Sequence, residues 1–269
     1  MESTRPIRAL MRGLDALTIL NLRDGATVSE IAHEIRLPRT TVYRILETLC
    51  VSGFVFRDST DERYRLTILV RGLSEGFDDE TWVKQIARPA IHLLCNDIVW
   101  PVSIATLSGT KMMLREATDH STPLAVERYS AGFQLPLLTS AAGRVYLANC
   151  PSEQRDALIE TLARSNKEED KPARDRTGLL RTLSEIKAHG FATATRTRRL
   201  MDEFAVSVPV PLGDRLAALN VRFVATAVPL KAGLERFLPK LRQCAAKIST
   251  VFLEQHAEAR AKSTRQATA

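Results

Sequence analysis

Apolar side chains in the first eighty residues recur at the spacing of short helices. Three leucines within residues 7–22 follow this spacing and predict a first helix, which Gly25 is suited to end in a left-handed conformation. Thr27 and Glu30 have the spacing of a capping box, in which each side chain bonds the backbone N–H of the other residue. The pattern therefore predicts a second helix that begins directly after Thr27.

A tight turn joins the second predicted helix to a third. The second helix has apolar residues at the i, i+3, i+4 and i+7 positions, and Pro38 suits the first turn of the third helix. The third helix carries an apolar stripe on one face, and on the opposite face it carries Arg39, Thr40, Tyr43 and Arg44. The positions predicted to be buried are Val28, Ile31, Ala32 and Ile35 in the second helix and Val42, Ile45, Leu46 and Leu49 in the third.

Two β-prone runs, residues 53–57 and 63–66, flank a turn-rich segment and predict a hairpin beside the third helix. Three helices and a hairpin form a winged helix-turn-helix, and the major groove of B-DNA accepts one helix that reads bases from its N-terminal end. Arginine suits guanine edges or phosphates, and threonine suits phosphates or thymine. Because winged-helix shapes also serve as protein-interaction modules, that alternative stays open. The predicted DNA-binding residues are Ser29, Arg39, Thr40, Thr41, Tyr43 and Arg44, with Arg63 and Arg65 on the wing.

Composition adds a basic surplus but does not locate it. The 269 residues contain 38 Lys and Arg against 31 Asp and Glu, and the sequence pI near 9.5 makes polyanions suitable partners. Residues 1–71 contain eleven Arg and nine acidic residues, whereas residues 36–57 carry four Arg against one Glu. The pattern of the third helix, rather than the total charge, therefore predicts the nucleic-acid surface.

Several other classes of protein are excluded by composition and motifs. No apolar run reaches the ~18 residues of a transmembrane helix, and the N-terminus lacks the apolar region of a signal peptide, so a cytoplasmic protein is expected. Four cysteines lie far apart, which argues against a zinc finger and against a disulfide scaffold. No catalytic motif is present and the five His are scattered, so we expect no enzymatic activity, no metal site and no cofactor.

One long stretch resembles a known DNA-binding signature. It is Val28-Ser-Glu-Ile-Ala-His-Glu-Ile-Arg-Leu-Pro-Arg-Thr-Thr-Val-Tyr-Arg-Ile-Leu-Glu-Thr-Leu, followed by Gly53-Phe-Val, and it resembles the signature of the IclR family of bacterial transcriptional regulators. The likeness continues through the segments 64–67, 137–150, 206–212 and 219–221. Within the family the chain looks most like the activators of phenylpropionate catabolism, on the stretches 73–82, 99–101, 115–118 and 134–138.

The resemblance implies an α+β architecture. A winged helix-turn-helix DNA-binding domain at residues 1–66 is expected to lead through a linker helix at 67–79, which helps the family's chains to dimerise. Residues 80–256 are then expected to form a GAF-like α/β effector-binding domain, followed by a polar, disordered tail at 257–269.

Apolar patterning in the second domain agrees with that expectation. It predicts helices at 81–96, 152–164, 175–189 and 231–256, and strands at 102–107, 112–116, 204–212 and 216–224. Pro209 and Pro211 conflict with this assignment because proline cannot donate to a strand ladder, which leaves the strand at a sheet edge or a bulge.

Candidate effector-binding residues come partly from chemistry and partly from the resemblance. The small-residue run from Thr139 to Gly143 leaves room for a ligand, although close helix–sheet packing explains such a run equally well. An arginine can bind a carboxylate through two parallel hydrogen bonds, although each candidate arginine taken separately also fits an ordinary surface position. Trp100 suits stacking on an aromatic ring, with burial in the core as the alternative. The predicted set is Trp100, Arg115, Arg128, Thr139, Ser140, Ala141, Ala142, Asp202, Glu203, Ser207, Asn220 and Arg222.

The sequence thus predicts a ligand-responsive regulator that binds double-stranded operator DNA as a homodimer or homotetramer. The expected effector is a small aromatic carboxylate, with a phenylpropionate-type acid ahead of a simple benzoate, and the regulated genes are expected to serve aromatic-compound catabolism. RNA polymerase is a further candidate partner. Two alternatives stay open: a DNA-associated structural protein without effector control, and an enzyme that acts on the same small acid.

Overall fold

The computed structural model describes residues 6–23, 25–73, 81–197 and 202–267, with side chains in the last range described through residue 255. The chain divides into two compact units, residues 1–79 and 80–269. Each unit buries its own apolar core. No helix within the described ranges is long and apolar enough to cross a membrane.

The first unit contains a three-helix arrangement followed by a hairpin. Its strands pair antiparallel, with Val55 opposite Leu66, and Ala26 forms an isolated bridge to Tyr64. This is the winged helix-turn-helix that the sequence predicts. The elements are α1 (Arg8–Asn21), α2 (Val28–Ile35), α3 (Arg39–Val51), β1 (Val55–Arg57), β2 (Tyr64–Leu66) and α4 (Leu69–Gly72).

Local capping sets the start and the end of α2. The capping box is complete, since the Thr27 hydroxyl accepts from the Glu30 N–H and the Glu30 carboxylate accepts from the Thr27 N–H at 2.8 Å. Arg36 ends α2 in a left-handed conformation with φ of 53°, and Pro38 then occupies the N-cap position of α3. The polar face of α3 that follows Pro38 is exposed, whereas its apolar stripe is buried in the core.

The core of this unit follows the predicted apolar stripes. Ile31 of α2 and both Val42 and Leu46 of α3 are fully buried. The predicted positions that stay partly buried pack against that core, and they are Val28, Ile35, Ile45 and Leu49. Burial of the stripes therefore fixes which face of α3 remains outside.

The second unit is built on a six-stranded antiparallel sheet with the order β5-β4-β3-β8-β7-β6. A π-helical turn at Val83–Ala87 leads into the first helix of the unit. The elements are α5 (Arg88–Ile98), β3 (Val102–Ser108), β4 (Lys111–Ala117), β5 (Gln134–Pro136), α6 (Ala141–Asn149), α7 (Ser152–Ala163), α8 (Arg176–His189), β6 (Ala192–Arg196), β7 (Glu203–Leu212), β8 (Arg215–Val224) and α9 (Leu230–Ala267).

Strand β7 shows how the sheet separates two layers. Val206, Val208 and Val210 point to one face and pack in a core with residues of α5 and α9. Ala205 and Ser207 alternate onto the opposite face, on which α6 lies. The α6 side is the one that contains the cavity described below.

Pro209 and Pro211 fit into β7 because the neighbouring strand β6 is short. β6 pairs with β7 only from Glu203 to Ser207. Beyond Ser207, the backbone N–H groups of β7 on that side have no β6 carbonyl to donate to, so a proline there loses no ladder hydrogen bond. β8 pairs with β7 as far as Leu212. β7 is therefore an interior strand in its first half and an edge strand in its second half, where proline is tolerated.

Several boundaries differ from those that the pattern predicts. The last helix continues to Ala267, whereas the predicted helix ends near residue 256 and a disordered tail follows. Residues 257–267 are rich in Ala, Arg, Lys and Glu, which have high helix propensity. In the predicted linker, α4 spans only Leu69–Gly72, and residues 74–79 lie outside the described part of the chain.

Candidate functional site

The N-terminal half of α3 presents a polar face to solvent. Arg39, Thr40, Tyr43 and Arg44 are all exposed, while the apolar stripe on the other side of the helix is buried. Among the residues that the structure describes, neither Arg39 nor Arg44 has a hydrogen-bonding or ion-pairing partner for its guanidinium group. Both cations are therefore available to an external anion.

A groove along this face brings five of the predicted DNA contacts together. It is lined by Ser29 of α2, by the four exposed residues of α3 and by Arg57 at the end of β1. Arg57 forms an ion pair with Glu62, and its guanidinium lies 5.9 Å from the centroid of the Tyr64 ring. Sequence reasoning missed Arg57 as a groove residue, although its position at the end of the first wing strand could have indicated it.

Thr41, the remaining predicted contact of α3, faces a second groove between α1 and α3. Thr40, Arg44 and Arg12 also line this groove, together with apolar residues of α1. The half-buried Arg12 has no side-chain partner within the described ranges. Arg12 is a second cation that sequence reasoning missed, because the pattern of α1 indicates only its apolar face.

The two wing arginines that the sequence predicts as DNA contacts, Arg63 and Arg65, form ion pairs with acidic residues of their own domain. Arg63 donates to the Glu30 carboxylate at 3.0 and 3.3 Å, and Arg65 donates to Asp58 and Asp61, each at 2.6 Å. These bonds hold the two guanidinium groups within their own domain. The pKa of the Glu30 carboxyl is lowered from its ordinary value. The largest cause is the hydrogen bond from the Thr27 N–H, and the hydrogen bond from Arg63 lowers this pKa further.

A cavity of about 230 Å³ lies in the second unit, between the N-terminus of α6 and the sheet. The predicted run from Thr139 to Ala142 lines it, as do Glu203, Asn220 and Arg222. Its other walls are largely apolar or aromatic, and the residues that form them include Leu114, Tyr129, Phe133, Leu135, Pro136 and Ala205.

The small-residue run serves packing at one position and the cavity at others. Ser140 caps α6 by accepting from the Gly143 N–H at 3.0 Å. A Cβ atom at Gly143 would overlap the backbone of Leu137, so glycine is needed there for close approach. Ala141 and Ala142, by contrast, face the cavity. The run therefore allows close packing at Gly143 and forms part of the cavity wall at Ala141 and Ala142.

Arg222 forms part of the cavity wall but is already surrounded by carboxylates. It forms an ion pair with Asp119 and donates to both Glu203 oxygens at 3.4 and 3.5 Å. It also donates to the backbone oxygen of Glu127 at 3.3 Å and lies 4.4 Å from the Tyr129 ring centroid. Burial raises the pKa of the Asp119 carboxyl, against the opposing effect of the nearby Arg222 charge. Arg222 therefore lines the cavity while its guanidinium is already paired with carboxylates, and its role as an anchor for a ligand carboxylate stays a prediction.

Tyr129 connects this ion cluster to the rim of the cavity. Its hydroxyl accepts from Arg196 and donates to Glu127, and the Arg196 guanidinium lies 5.3 Å from its ring centroid. Phe133 packs on the same ring at 4.3 Å between centroids. Sequence reasoning missed these three lining residues because they lie in loops and in the short strand β6, which the pattern does not predict.

The remaining predicted effector residues lie elsewhere. Trp100 is 7% exposed and packs edge-on against Phe223 in the core beneath α9, so it does not line the cavity. Arg115 follows the cavity residue Leu114 in β4, and alternation directs it to the opposite face of the sheet. Arg128 is exposed at the surface. Neither Asp202 nor Ser207 is among the cavity-lining residues, although Ser207 is buried directly beside Asn220.

No cluster of potential metal ligands occurs in the parts of the chain that the structure describes. The cavity of the second unit is small and mainly apolar with a few polar groups, which is the ordinary form of a site for a small organic molecule.

Comparisons with known proteins agree with this two-part arrangement. The model of the IclR helix-turn-helix domain matches residues 9–59, and the model of the bacterial transcriptional regulator IclR C-terminal domain matches residues 79–250. A probable transcriptional regulator, SauR from Cupriavidus necator, is 27% identical over 260 residues, which cover 91% of this chain and 97% of that protein.

Solved structures show the same fold. The IclR structure from Thermotoga maritima has a TM-score of 0.60 at 20% identity and covers 90% of this chain and 98% of that one. An IclR homologue from Microbacterium hydrocarbonoxydans, complexed with 4-hydroxybenzoate, has a TM-score of 0.58 at 20% identity. The match covers 91% of this chain and 99% of that one. On the two domain matches, this chain belongs to the IclR family of bacterial transcriptional regulators, with a DNA-binding helix-turn-helix domain followed by an effector domain.

Proposed function

We propose that this regulator controls an operon for aromatic-acid catabolism and that its effector is a small aromatic carboxylate, such as a phenylpropionate. The observation that carries the DNA-binding part is the exposed face of α3, where Arg39 and Arg44 have no partner among the described residues. Such guanidinium groups suit guanine edges and phosphates in the major groove. Thr40 and Thr41 add hydroxyl and methyl groups beside them.

The protein binds its operator as a dimer or a dimer of dimers. Two copies of α3 related by a two-fold axis match a pseudo-palindromic site, with the half-site spacing set by the protein. Effector binding shifts the population between arrangements of the two recognition units, and the linker at 67–79 transmits that shift.

The cavity supports an effector with an aromatic body. Tyr129 and Phe133 form an aromatic wall, and Leu114 and Leu135 add apolar surface. The volume of about 230 Å³ suits a small molecule rather than a peptide or a nucleotide. The Microbacterium homologue was crystallised with 4-hydroxybenzoate, an acid of this size class.

The test uses the full chain and an operator fragment located by footprinting upstream of its own gene and the genes beside it. Operator affinity is measured by fluorescence anisotropy with and without 3-phenylpropionate and benzoate, and ligand binding is measured by calorimetry. A change in operator affinity caused by the phenylpropionate supports the proposal. Absence of binding of either acid up to millimolar concentrations contradicts the effector assignment.

The same experiment separates the two alternatives. A DNA-associated structural protein would show weak sequence preference, a steep salt dependence of affinity and no thermal shift with ligand. An enzyme would convert the acid, and chromatography of the ligand after incubation with the protein would reveal the product.

A further inference from the structure

The groove beside the polar face of α3 contains a carboxylate among its cations. Arg39 and Arg44 of α3 and Arg57 of β1 line this groove, and Glu62, in the turn of the wing, is the one acidic residue among its described walls. DNA in this groove would bring a row of phosphates, which a carboxylate repels. Glu62 therefore weakens the binding that the other charges of the groove favour.

The hairpin holds Arg57 beside the groove. Arg57 lies directly opposite Tyr64 in the pairing of β1 with β2, so the two side chains share one face of the hairpin. Tyr64 is buried and its backbone bonds Ala26 in both directions, so its ring is a fixed surface. The Arg57 guanidinium lies 5.9 Å from the centroid of that ring, within the range of a cation–π contact. This contact does not involve Glu62, so it can keep the guanidinium beside the groove when the ion pair opens.

The ion pair of Arg57 with Glu62 is held less firmly than those of the other wing arginines. The guanidinium groups of Arg63 and Arg65 each donate at least three hydrogen bonds within their own domain. Arg57 forms one ion pair among the described residues, and its side chain and that of Glu62 are 48% and 60% exposed. Exposed ion pairs contribute little to stability, so an external phosphate can displace the Glu62 carboxylate at small cost.

The backbone of the wing turn does not require a glutamate at this position. Glu62 has a φ of 60°, a left-handed conformation that glycine adopts at lower steric cost because it has no Cβ. Among the described residues, the Glu62 carboxylate contacts Arg57 alone. Non-glycine residues in this conformation occur disproportionately at functional sites. What the Glu62 side chain adds to the turn is therefore its ion pair with Arg57.

We propose that Glu62 is an internal competitor of DNA: its carboxylate occupies Arg57 in the free protein, and a phosphate of the duplex replaces it in the complex. Arg57 is then a phosphate contact of the wing, and Glu62 limits the part of the affinity that does not depend on base sequence. This inference rests on the proposed function, since it assumes that α3 brings DNA into this groove.

Anisotropy titrations of the full chain against operator and scrambled duplexes test this exchange. Glu62→Gln keeps the size of the side chain and removes its charge, and it is expected to raise affinity for both duplexes about threefold at ~0.1 M salt. The gain should shrink at higher salt because exposed charges are screened. Glu34→Gln is the control, since Glu34 forms an exposed ion pair with Arg23 and lies outside both grooves, and it should change affinity less.

Arg57→Ala supplies the second half of the test. It is expected to weaken binding to both duplexes by a similar factor and to reduce the magnitude of the salt slope by about 1, as for the loss of one phosphate contact. In the Arg57→Ala background, Glu62→Gln should give a smaller gain than in the wild type, because the carboxylate then has no arginine to occupy.

The outcomes separate the claims. Equal affinities of Glu62→Gln and Glu34→Gln overturn the competitor role of Glu62. A loss in Arg57→Ala that is confined to the operator overturns the phosphate contact, since a phosphate contact acts on every sequence. An equal gain from Glu62→Gln with and without Arg57 overturns the exchange, because Glu62 then acts by repulsion alone.

Failure of the proposed function gives a different result. If the wild-type protein does not prefer the operator and Arg44→Ala leaves binding unchanged, the DNA-binding role of the groove is overturned, and this inference with it. Should Glu62→Gln be poorly folded, Glu62→Gly takes its place with the same expected gain, because glycine suits the backbone there and also removes the carboxylate.

Discussion

Gly143→Ala is expected to disturb the effector domain far more than a single methyl group suggests. The added Cβ would overlap the backbone carbonyl group and the Cα atom of Leu137, and the nearest atoms are backbone rather than a flexible side chain. Ordinary Cβ contacts begin near 3.4 Å, whereas the Leu137 carbonyl carbon and Cα would lie at 2.6 Å. Relief therefore requires α6 or the preceding segment to shift by most of an ångström.

The expected magnitude follows from two opposing effects. Overpacking against fixed backbone costs about 3 kcal/mol, the upper part of the usual range, and the better helix propensity of alanine returns about 1 kcal/mol. The free energy of unfolding of the second unit should fall by about 2 kcal/mol, which lowers its Tm by roughly 4–8 °C for a domain of this size. Because Ala141 and Ala142 move with α6, effector affinity should fall as well.

Calorimetric and urea unfolding of the full chain measure this effect, with Gly13→Ala as the matched control. Gly13 lies in α1, and a Cβ there would meet no atom within 4 Å, so alanine should stabilise the first unit by about 0.5–1 kcal/mol. A Gly143→Ala protein as stable as the wild type would refute the close approach of α6 to Leu137.

Three further substitutions test separate features of the fold. Val99→Gly relieves a β-branched residue at φ of 67° that ends α5, and should raise the free energy of unfolding by about 0.5–1 kcal/mol in urea titrations; a loss of stability would contradict the strain. Thr27→Ala removes half of the capping box and should cost about 1 kcal/mol in the first unit by the same assay, whereas an unchanged midpoint would mean that the cap contributes nothing. Burial raises the pKa of Asp119 in the folded protein above its value in the unfolded chain. The folded state therefore holds the Asp119 proton more tightly, and the stability that this proton contributes is lost as the pH rises through the raised pKa. Stability of the wild type relative to Asp119→Asn should therefore fall as the pH rises from about 4, and a rise in the measured difference would show the opposite shift.

Features determined by neighbouring residues were predictable from the sequence. The capping box at Thr27, the turn at Pro38 and the outward face of α3 depend on side chains a few positions apart, and the structure contains all three. The hairpin and the main strands of the second unit follow from alternation over several residues. Patterning of this kind does not depend on distant contacts.

Features determined by distant residues were not predictable. The pairing of Arg63 with Glu30 joins positions 33 residues apart, and no local pattern distinguishes a paired arginine from an unpaired one. Arg222 likewise meets Asp119 across 103 residues. The tolerance of β7 for Pro209 depends on where the short strand β6 ends. β6 itself spans only five residues, Ala-Thr-Ala-Thr-Arg, and contains no large apolar side chain that would mark it as a strand.

The central claim is that the outward face of α3 reads operator DNA, and Arg44→Ala tests it most directly. Its control, Arg23→Ala, removes the same charge from the loop after α1, where Arg23 pairs with Glu34 and lies outside both grooves. Anisotropy titrations against operator and scrambled duplexes at one salt concentration should show Arg44→Ala weakening operator binding by ~1–3 kcal/mol, with a smaller effect of Arg23→Ala. Equal losses in the two variants, or unchanged operator binding by Arg44→Ala, would contradict the account.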